Sequence, residues 1–389
     1  MAFIRFVNFL IIFFISIDMG GELGIRNVSF LLLVLLIAYY IVTCKKIKFR
    51  LPYVLLIILF LGYPVASLFI GMSNNFDADT GISQISIFVF AFLYFLKRII
   101  EEDNNLPLMP IQYFNNAMLI ISLFYVLMLI SYQFFPSIFN SIALYIHDRG
   151  AGFAGVRTEN GVGFANIYLK SSLFLIFTYC CFLKRNTIKA AIIILATVIT
   201  TSKALLLTEV LLLVTKLKGR LISVVVFVSA LLLFIAIYFD EIMVVFNYMN
   251  ETLQGNSETY LVRVHHFEDL VALFSENPIN FLFGFGAGSS FFSSYYGKYI
   301  FNIELDHLNA IRKFGLIWFL SFMWLVFFNI IQLVRLKRNE LALGLFLSFV
   351  LAGTNPVLLS PIFFILLIEC HLLTLKVPCS TSGLHNSKV

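Results

Sequence analysis

Four consecutive residues, Glu304-Leu305-Asp306-His307, offer three side chains that can accept or give up a proton. They stand immediately before a long apolar run, Leu308 to Leu333, so they lie where a polar segment meets a predicted membrane helix. A carboxylate or imidazole at such a boundary can act as a general base towards a hydroxyl group. In a regular helix Glu304 and Asp306 would point about 200° apart, so they are not expected to share one proton. Glu304, Asp306 and His307 are therefore separate candidate catalytic residues, while a purely structural reading makes Asp306 the N-cap of the following helix.

Several bases have the chemistry to bind a phosphate or a glycan, because guanidinium and ammonium groups donate strong hydrogen bonds to anions. Glycines near two of them would let the backbone approach such a ligand closely. The structural alternatives are a flexible loop, a solvated helix face, and bases that extend to the lipid headgroups. The six candidates are Arg149, Arg157, Lys203, Arg263, Arg312 and Lys313.

The sequence offers little for a metal or a cofactor. The pair His265-His266 has no third and fourth ligand at convincing spacing, so no metal site is predicted. A solvated amphipathic helix from about Glu258 to Glu276 explains this stretch better. The glycine-rich patch Gly284–Gly288 has neither a preceding strand nor a following soluble helix, so a tight turn is predicted there and not a dinucleotide site. No disulfide framework is visible among the five cysteines.

Composition places these residues in a membrane protein. The chain of 389 residues is 60% hydrophobic and 12% charged, whereas soluble chains carry about 25% charged residues. A bilayer core needs about 20 apolar residues per helix, which predicts an all-α polytopic fold with about twelve spans. The predicted spans are 3–18, 28–44, 52–71, 82–97, 114–135, 162–183, 187–201, 203–217, 221–238, 307–333, 341–354 and 358–375.

The distribution of charge predicts the orientation. Alternate links and the two termini hold 18 of the 27 Lys and Arg residues, so by the positive-inside rule both termini are cytoplasmic. Clustering of bases in short links also argues against nucleic-acid binding. The organisation predicted is one integral-membrane domain, 1–375, with larger outer segments at 136–161 and 239–306 and a cytoplasmic tail at 376–389. Lys170, Lys203 and Glu209 fall inside predicted spans, where they form either structural pairs or a polar pocket.

The chain from about residue 145 onward resembles the Wzy-type O-antigen polymerases, in the superfamily that also contains the O-antigen ligases. The likeness lies in the joint order of several weak motifs and not in any one of them. Glu159 stands where the family commonly has proline, and Lys203 stands where it has arginine. The ligases usually carry a His-Asn pair where this chain has Glu304 and Leu305. The motifs are Arg149-Gly150-Ala151-Gly152-Phe153 with Glu159-Asn160, Thr200-Thr201-Ser202-Lys203-Ala204, Arg263 with Pro278 and Phe283-Gly284-Phe285-Gly286, and Glu304-Leu305-Asp306 with Phe314-Gly315-Leu316.

This resemblance implies a glycosyltransferase of the bacterial inner membrane whose site faces the periplasm. Its substrates would be undecaprenyl-pyrophosphate-linked oligosaccharide repeat units, with membrane lipid and a chain-length regulator protein as further partners and no cofactor. The cationic candidates would hold the diphosphate or the glycan, and Glu304, Asp306 or His307 would be the base. Two other functions stay open: an O-antigen ligase that transfers glycan to lipid A-core, and a transporter or flippase of lipid-linked glycan.

Overall fold

The computed structural model describes residues 1–43, 50–51, 53–106, 108–159, 162–183, 186–200, 202–217, 258–353 and 355–375. It is mostly helical, with two small antiparallel hairpins, β1–β2 and β3–β4. The helices are α1 (Ala2–Ile17), α2 (Ile25–Thr43), α3 (Tyr53–Ser73), α4 (Ala78–Asp103), α5 (Pro110–Phe134), α6 (Pro136–Asp148), α7 (Leu175–Leu183), α8 (Thr187–Thr200), α9 (Lys203–Leu217), α10 (Glu258–Glu276), α11 (Pro278–Phe283), α12 (Asp306–Arg335), α13 (Asn339–Leu351) and α14 (Pro361–Leu375). The strands are β1 (Gly152–Glu159), β2 (Val162–Leu169), β3 (Phe291–Ser293) and β4 (Lys298–Ile300).

Local sequence explains where several helices begin. Helices α5, α6 and α11 start at a proline, whose missing N–H and fixed φ suit the first helical position. Helix α4 starts after Asp77, whose carboxylate accepts a bond from the Thr80 N–H at 2.9 Å.

Among the described residues, five helices are long and apolar enough to cross a membrane: α2, α3, α4, α5 and α12. Six shorter apolar segments of 10–17 residues accompany them, in a chain of mean hydropathy +0.95. This confirms the coarse prediction of a helical membrane protein. The count of twelve spans and the orientation remain predictions. The proposed span 221–238, the first part of the outer segment 239–306 and the tail 376–389 lie outside the described residues.

The prediction of one membrane helix over 162–183 is wrong. Residues 162–169 form β2, which pairs with β1 from Gly152↔Leu169 to Glu159↔Val162, and a 3-10 turn over 170–174 leads into α7. A two-stranded hairpin leaves backbone groups unpaired along its edges, so it cannot face lipid. It is covered by protein instead: Ala165 and Ile167 of β2 are buried.

The membrane body is packed through aromatic side chains around Trp318 of α12. Its ring lies 5.0 Å from Phe322 and 5.9 Å from Phe88 of α4. Its indole N–H donates to the Leu59 carbonyl at 3.2 Å, in the π-helical turn of α3. The hydrogen bond fixes α12 against α3, and the ring contact with Phe88 packs it against α4.

Candidate functional site

Arg263 and Glu304 form an ion pair that connects α10 to the residues just before α12. Both bonds reach the same carboxylate oxygen, Oε2: the Arg263 Nε lies at 2.9 Å and the Nη2 at 2.7 Å. Arg263 is placed by α10, whose bounds agree with the predicted helix Glu258–Glu276. Glu304 stands just before α12. Their side chains are 29% and 46% exposed, so a substrate can reach both.

The charge of Glu304 affects the pKa values of two other groups, Tyr168 and His266. The pKa of Tyr168 is raised, first by burial and then by the charges of Tyr125 and Glu304. The pKa of His266 is lowered by burial, against the opposing charges of Asp269 and Glu304. Because Tyr168 is the penultimate residue of β2 and His266 lies on α10, Glu304 stands where the hairpin β1–β2 approaches segment 258–305.

Asp306 has a different environment, and the prediction that it caps α12 is wrong. The N-cap of α12 is Leu305, without a side-chain bond. Asp306 is 3% exposed, and its Oδ2 accepts bonds from the N–H groups of Leu358 at 2.6 Å and Leu359 at 3.2 Å. Buried N–H groups of an irregular link need partners, and Asp306 supplies one for the link between α13 and α14.

Arg312 and Lys313 are buried, at 0% and 3% exposure, so the expectation that they extend to lipid headgroups is wrong. Residues 289–302 fold back over the start of α12 and supply acceptors that a buried cation requires. Lys313 donates to Asn302 Oδ1 at 2.5 Å, and the Arg312 guanidinium lies 5.2 Å from the Phe291 ring centroid. The acceptors of Arg312 are Ser289 O and Oγ, Phe301 O and Asn309 Oδ1, at 2.6, 2.9, 2.7 and 2.9 Å.

The glycine-rich patch is buried, and it connects segment 258–305 to a break in α12. At Gly315 the backbone leaves the helical conformation, with φ 86° and ψ 160°. The carbonyl groups of the preceding turn therefore lack their regular N–H partners within the helix. The N–H groups of Phe285 and Gly286 bond to the carbonyls of Arg312 and Lys313, at 2.7 and 3.2 Å. A Cβ on Gly286 would lie 2.2 Å from the Gly71 nitrogen, so the close approach to α3 requires glycine. The patch therefore does more than reverse the chain direction, as the prediction of a tight turn had it, because its backbone bonds hold segment 258–305 against α12.

The structure shows no contact between Glu304 and the remaining predicted residues whose side chains it describes, Arg149 and His307. Arg149 is exposed, with its guanidinium 5.7 Å from the Tyr145 ring. His307 is partly buried, and its Nε2 lies 3.1 Å from the Phe349 carbonyl oxygen. The side chains of Arg157 and Lys203 lie outside the description that the structure gives.

The charges inside predicted spans have separate partners. Lys170 forms an ion pair with Glu22. Glu209 is fully buried, and its Oε1 accepts a bond from Thr197 Oγ1 at 3.0 Å. A structural role accounts for both contacts.

Sequence reasoning missed Tyr168 and a buried charge network on α4. Arg98 donates to Glu369 of α14 at 2.6 and 3.1 Å and to Glu101 at 2.9 Å. The signal was present, because Arg98 and Glu101 are three residues apart on one helix face. Assigning Arg98 only to a positive cytoplasmic link hid its second role.

Comparisons with protein families, with curated proteins and with solved structures found no match.

Proposed function

We propose that this chain is a membrane glycosyltransferase of the O-antigen polymerase type. It moves a growing glycan from undecaprenyl pyrophosphate onto another lipid-linked repeat unit, at the face of the membrane that carries α10 and the two hairpins. The observation that carries the proposal is the accessible Arg263–Glu304 pair, fixed to a membrane body beside the hairpin β1–β2.

Glu304 is suited to the role of base. Both bonds from Arg263 go to Oε2, and Oε1 has no hydrogen bond with the described residues. That oxygen can accept the proton of an acceptor hydroxyl while Arg263 holds the carboxylate in place. Asp306 is less suited because it is 3% exposed and its Oδ2 already accepts two backbone N–H bonds. His307 is less suited because it is partly buried and its Nε2 already contacts the Phe349 carbonyl oxygen.

In the reaction, the hydroxyl oxygen of the acceptor sugar attacks C1 of the donor glycan. The bond from C1 to the pyrophosphate oxygen breaks, the hydroxyl proton passes to Glu304, and undecaprenyl pyrophosphate leaves with the electron pair. Cations stabilise the charge that grows on this leaving group. Arg149 and Arg263 are the accessible candidates, with Arg157 and Lys203 as further predictions. Both Nη groups of Arg312 and the Nζ of Lys313 donate to protein acceptors, which favours a supporting role for these two residues.

The test uses purified protein and one lipid-linked repeat unit as sole substrate, with products separated on a gel. A polymerase gives a ladder of lipid-linked chains. Product only after addition of lipid A-core would identify a ligase, and transfer of the lipid across vesicles without a new glycosidic bond would identify a flippase. Either result refutes the proposal.

A Glu304→Gln variant and a matched Glu276→Gln variant connect the activity to the site. Glu276 is exposed, at the end of α10. The ladder should be lost in the first variant and kept in the second.

A further inference from the structure

A cavity of about 530 Å³ lies at the other end of the membrane body. It is bounded by the end of α4, the start of α5, the end of α7, the start of α8, the start of α13 and the end of α14. Helix α4 has 26 residues, so it spans about 39 Å. Gln84, near its first turn, bonds to Gly288 of the glycine-rich patch. The cavity is therefore remote from Glu304, and its role is independent of the proposed transferase site.

Two cations at this cavity have no acidic partner among the described residues. Lys189 is partly buried, with its ammonium 5.0 Å from the centroid of the Phe182 ring, and Arg338 is exposed. Arg98 also lines the cavity, but Glu369 and Glu101 already bind its guanidinium. Lys189 and Arg338 are thus the charges available to an anion.

Two helix N-termini reinforce these cations. The first turns of α5, which has 25 residues, and of α13, which has 13, line the cavity, and neither has a side-chain cap. The first N–H groups of a helix lack partners inside the helix, and the helix dipole favours an anion there. Phosphate groups commonly bind at such positions. Two acidic residues also line the cavity: Glu340, on the first turn of α13, and Glu369, which binds Arg98.

A neutral polar surface completes the site. Gln112, Asn115 and Asn116 of α5 line the cavity. Asn115 is 8% exposed, and its Oδ1 has no hydrogen-bond partner among the residues that the structure describes. An amide oxygen accepts hydrogen bonds, so this group calls for a donor such as a hydroxyl, which a phosphate alone does not supply.

We propose that this cavity binds a phosphate ester whose alcohol carries free hydroxyl groups, supplied by the headgroup of an anionic phospholipid such as phosphatidylglycerol. Lys189, Arg338 and the two N-termini hold the phosphate, and the amides of α5 hold the hydroxyls. A lipid source fits the position of the cavity at the ends of apolar helices, where headgroups lie. The short links here carry bases, which attract anionic lipid.

The experiment measures lipid bound to the delipidated full-length protein in detergent, by native mass spectrometry. The probes are phosphatidylglycerol, phosphatidic acid, which lacks the hydroxylated alcohol, phosphatidylethanolamine, which is zwitterionic, and free glycerol phosphate. Phosphatidylglycerol should bind at least about tenfold more tightly than each other probe, since charge-assisted and hydroxyl bonds are each worth about a decade in affinity. Equal binding of phosphatidylethanolamine or phosphatidic acid overturns the proposed headgroup, and equal binding of glycerol phosphate overturns the lipid source.

Variants locate the binding. Arg338→Gln and Lys189→Met should each weaken phosphatidylglycerol binding about tenfold. Lys298→Gln, which removes an exposed cation at the other end of the molecule, should not. Asn115→Leu should reduce the preference for phosphatidylglycerol over phosphatidic acid. If Lys189→Met fails to insert, Arg338→Gln decides alone, because its side chain is exposed; unchanged binding in that variant refutes the site.

Discussion

Glu304→Gln separates a catalytic carboxylate from a structural one. The substitution keeps the size of the side chain and one oxygen for Arg263, but it removes the negative charge and the base. The pair is partly exposed, at 29% and 46% of the two side chains. Exposed ion pairs contribute only about 0.2–1 kcal/mol to stability and are screened by salt. The variant should therefore insert and fold like the wild type.

Its effect on the reaction should be far larger. General-base catalysis contributes about 10²–10⁴-fold to a rate, which corresponds to about 2.7–5.5 kcal/mol of activation free energy. Even the lower bound exceeds the upper estimate for the ion pair. A lost interaction and a lost base thus differ enough to be distinguished in one rate measurement.

The assay is the initial rate of chain elongation by purified protein on a lipid-linked repeat unit, at matched amounts of folded protein. Glu276→Gln should retain the wild-type rate. Arg263→Lys keeps the charge but loses the two-nitrogen contact, so its rate should lie between those of wild type and Glu304→Gln. In the Glu304→Gln background Arg263→Lys should add little, because residues that act as a unit are not additive. A folded Glu304→Gln variant with near-normal elongation would refute the assignment of the base.

Four further substitutions test the supporting structure. Asp306→Asn should lower stability by about 1–3 kcal/mol, because its bonds to backbone N–H groups lose their charge, while the rate per folded molecule stays unchanged; melting and elongation measured together decide this. Arg312→Lys should increase hydrogen exchange in segment 289–302, since one ammonium cannot reach all of the present acceptors, and unchanged exchange would contradict it. Gly286→Ala should reduce the yield of folded protein much more than Gly297→Ala, because both have positive φ but only the first Cβ meets backbone; equal yields would refute the close-approach argument. Burial lowers the pKa of His266, so the folded state favours the neutral ring, and stability should fall as pH drops below about 6.5; melting of His266→Gln should lose that part of the pH dependence.

Much of the helical framework was predictable because long apolar runs require helices in lipid. Helix α10 was predicted with its observed bounds, and the helix breaks after Thr200 and after Leu351 coincide with polar or proline-containing links. The hairpin β1–β2 was missed, because the run from 162 to 183 is apolar throughout most of its length. Periodicity alone does not distinguish a buried strand from part of a buried helix. The partner that makes β2 a strand is β1, which ends at Glu159, and the span prediction had placed its boundary between the two strands, at 161/162.

The distinction between the arginines depends on information that short motifs do not contain. Arg263 and Arg312 both lie next to other polar candidate residues in the sequence. In the structure, however, Arg263 is accessible beside Glu304, whereas Arg312 is fully buried. Arg312 has a structural role because its guanidinium donates to the carbonyls of Ser289 and Phe301, which lie 23 and 11 positions earlier in the chain. To reach Arg312, the segment must first pass close to α12 at the glycine-rich patch, where the N–H groups of Phe285 and Gly286 bond to α12 carbonyls. These carbonyls are available because the helix is broken at Gly315. Burial separates the two carboxylates in the same way. The N–H groups of residues 52 and 53 positions later bind Asp306, which is 3% exposed, whereas the Glu304 side chain is 46% exposed.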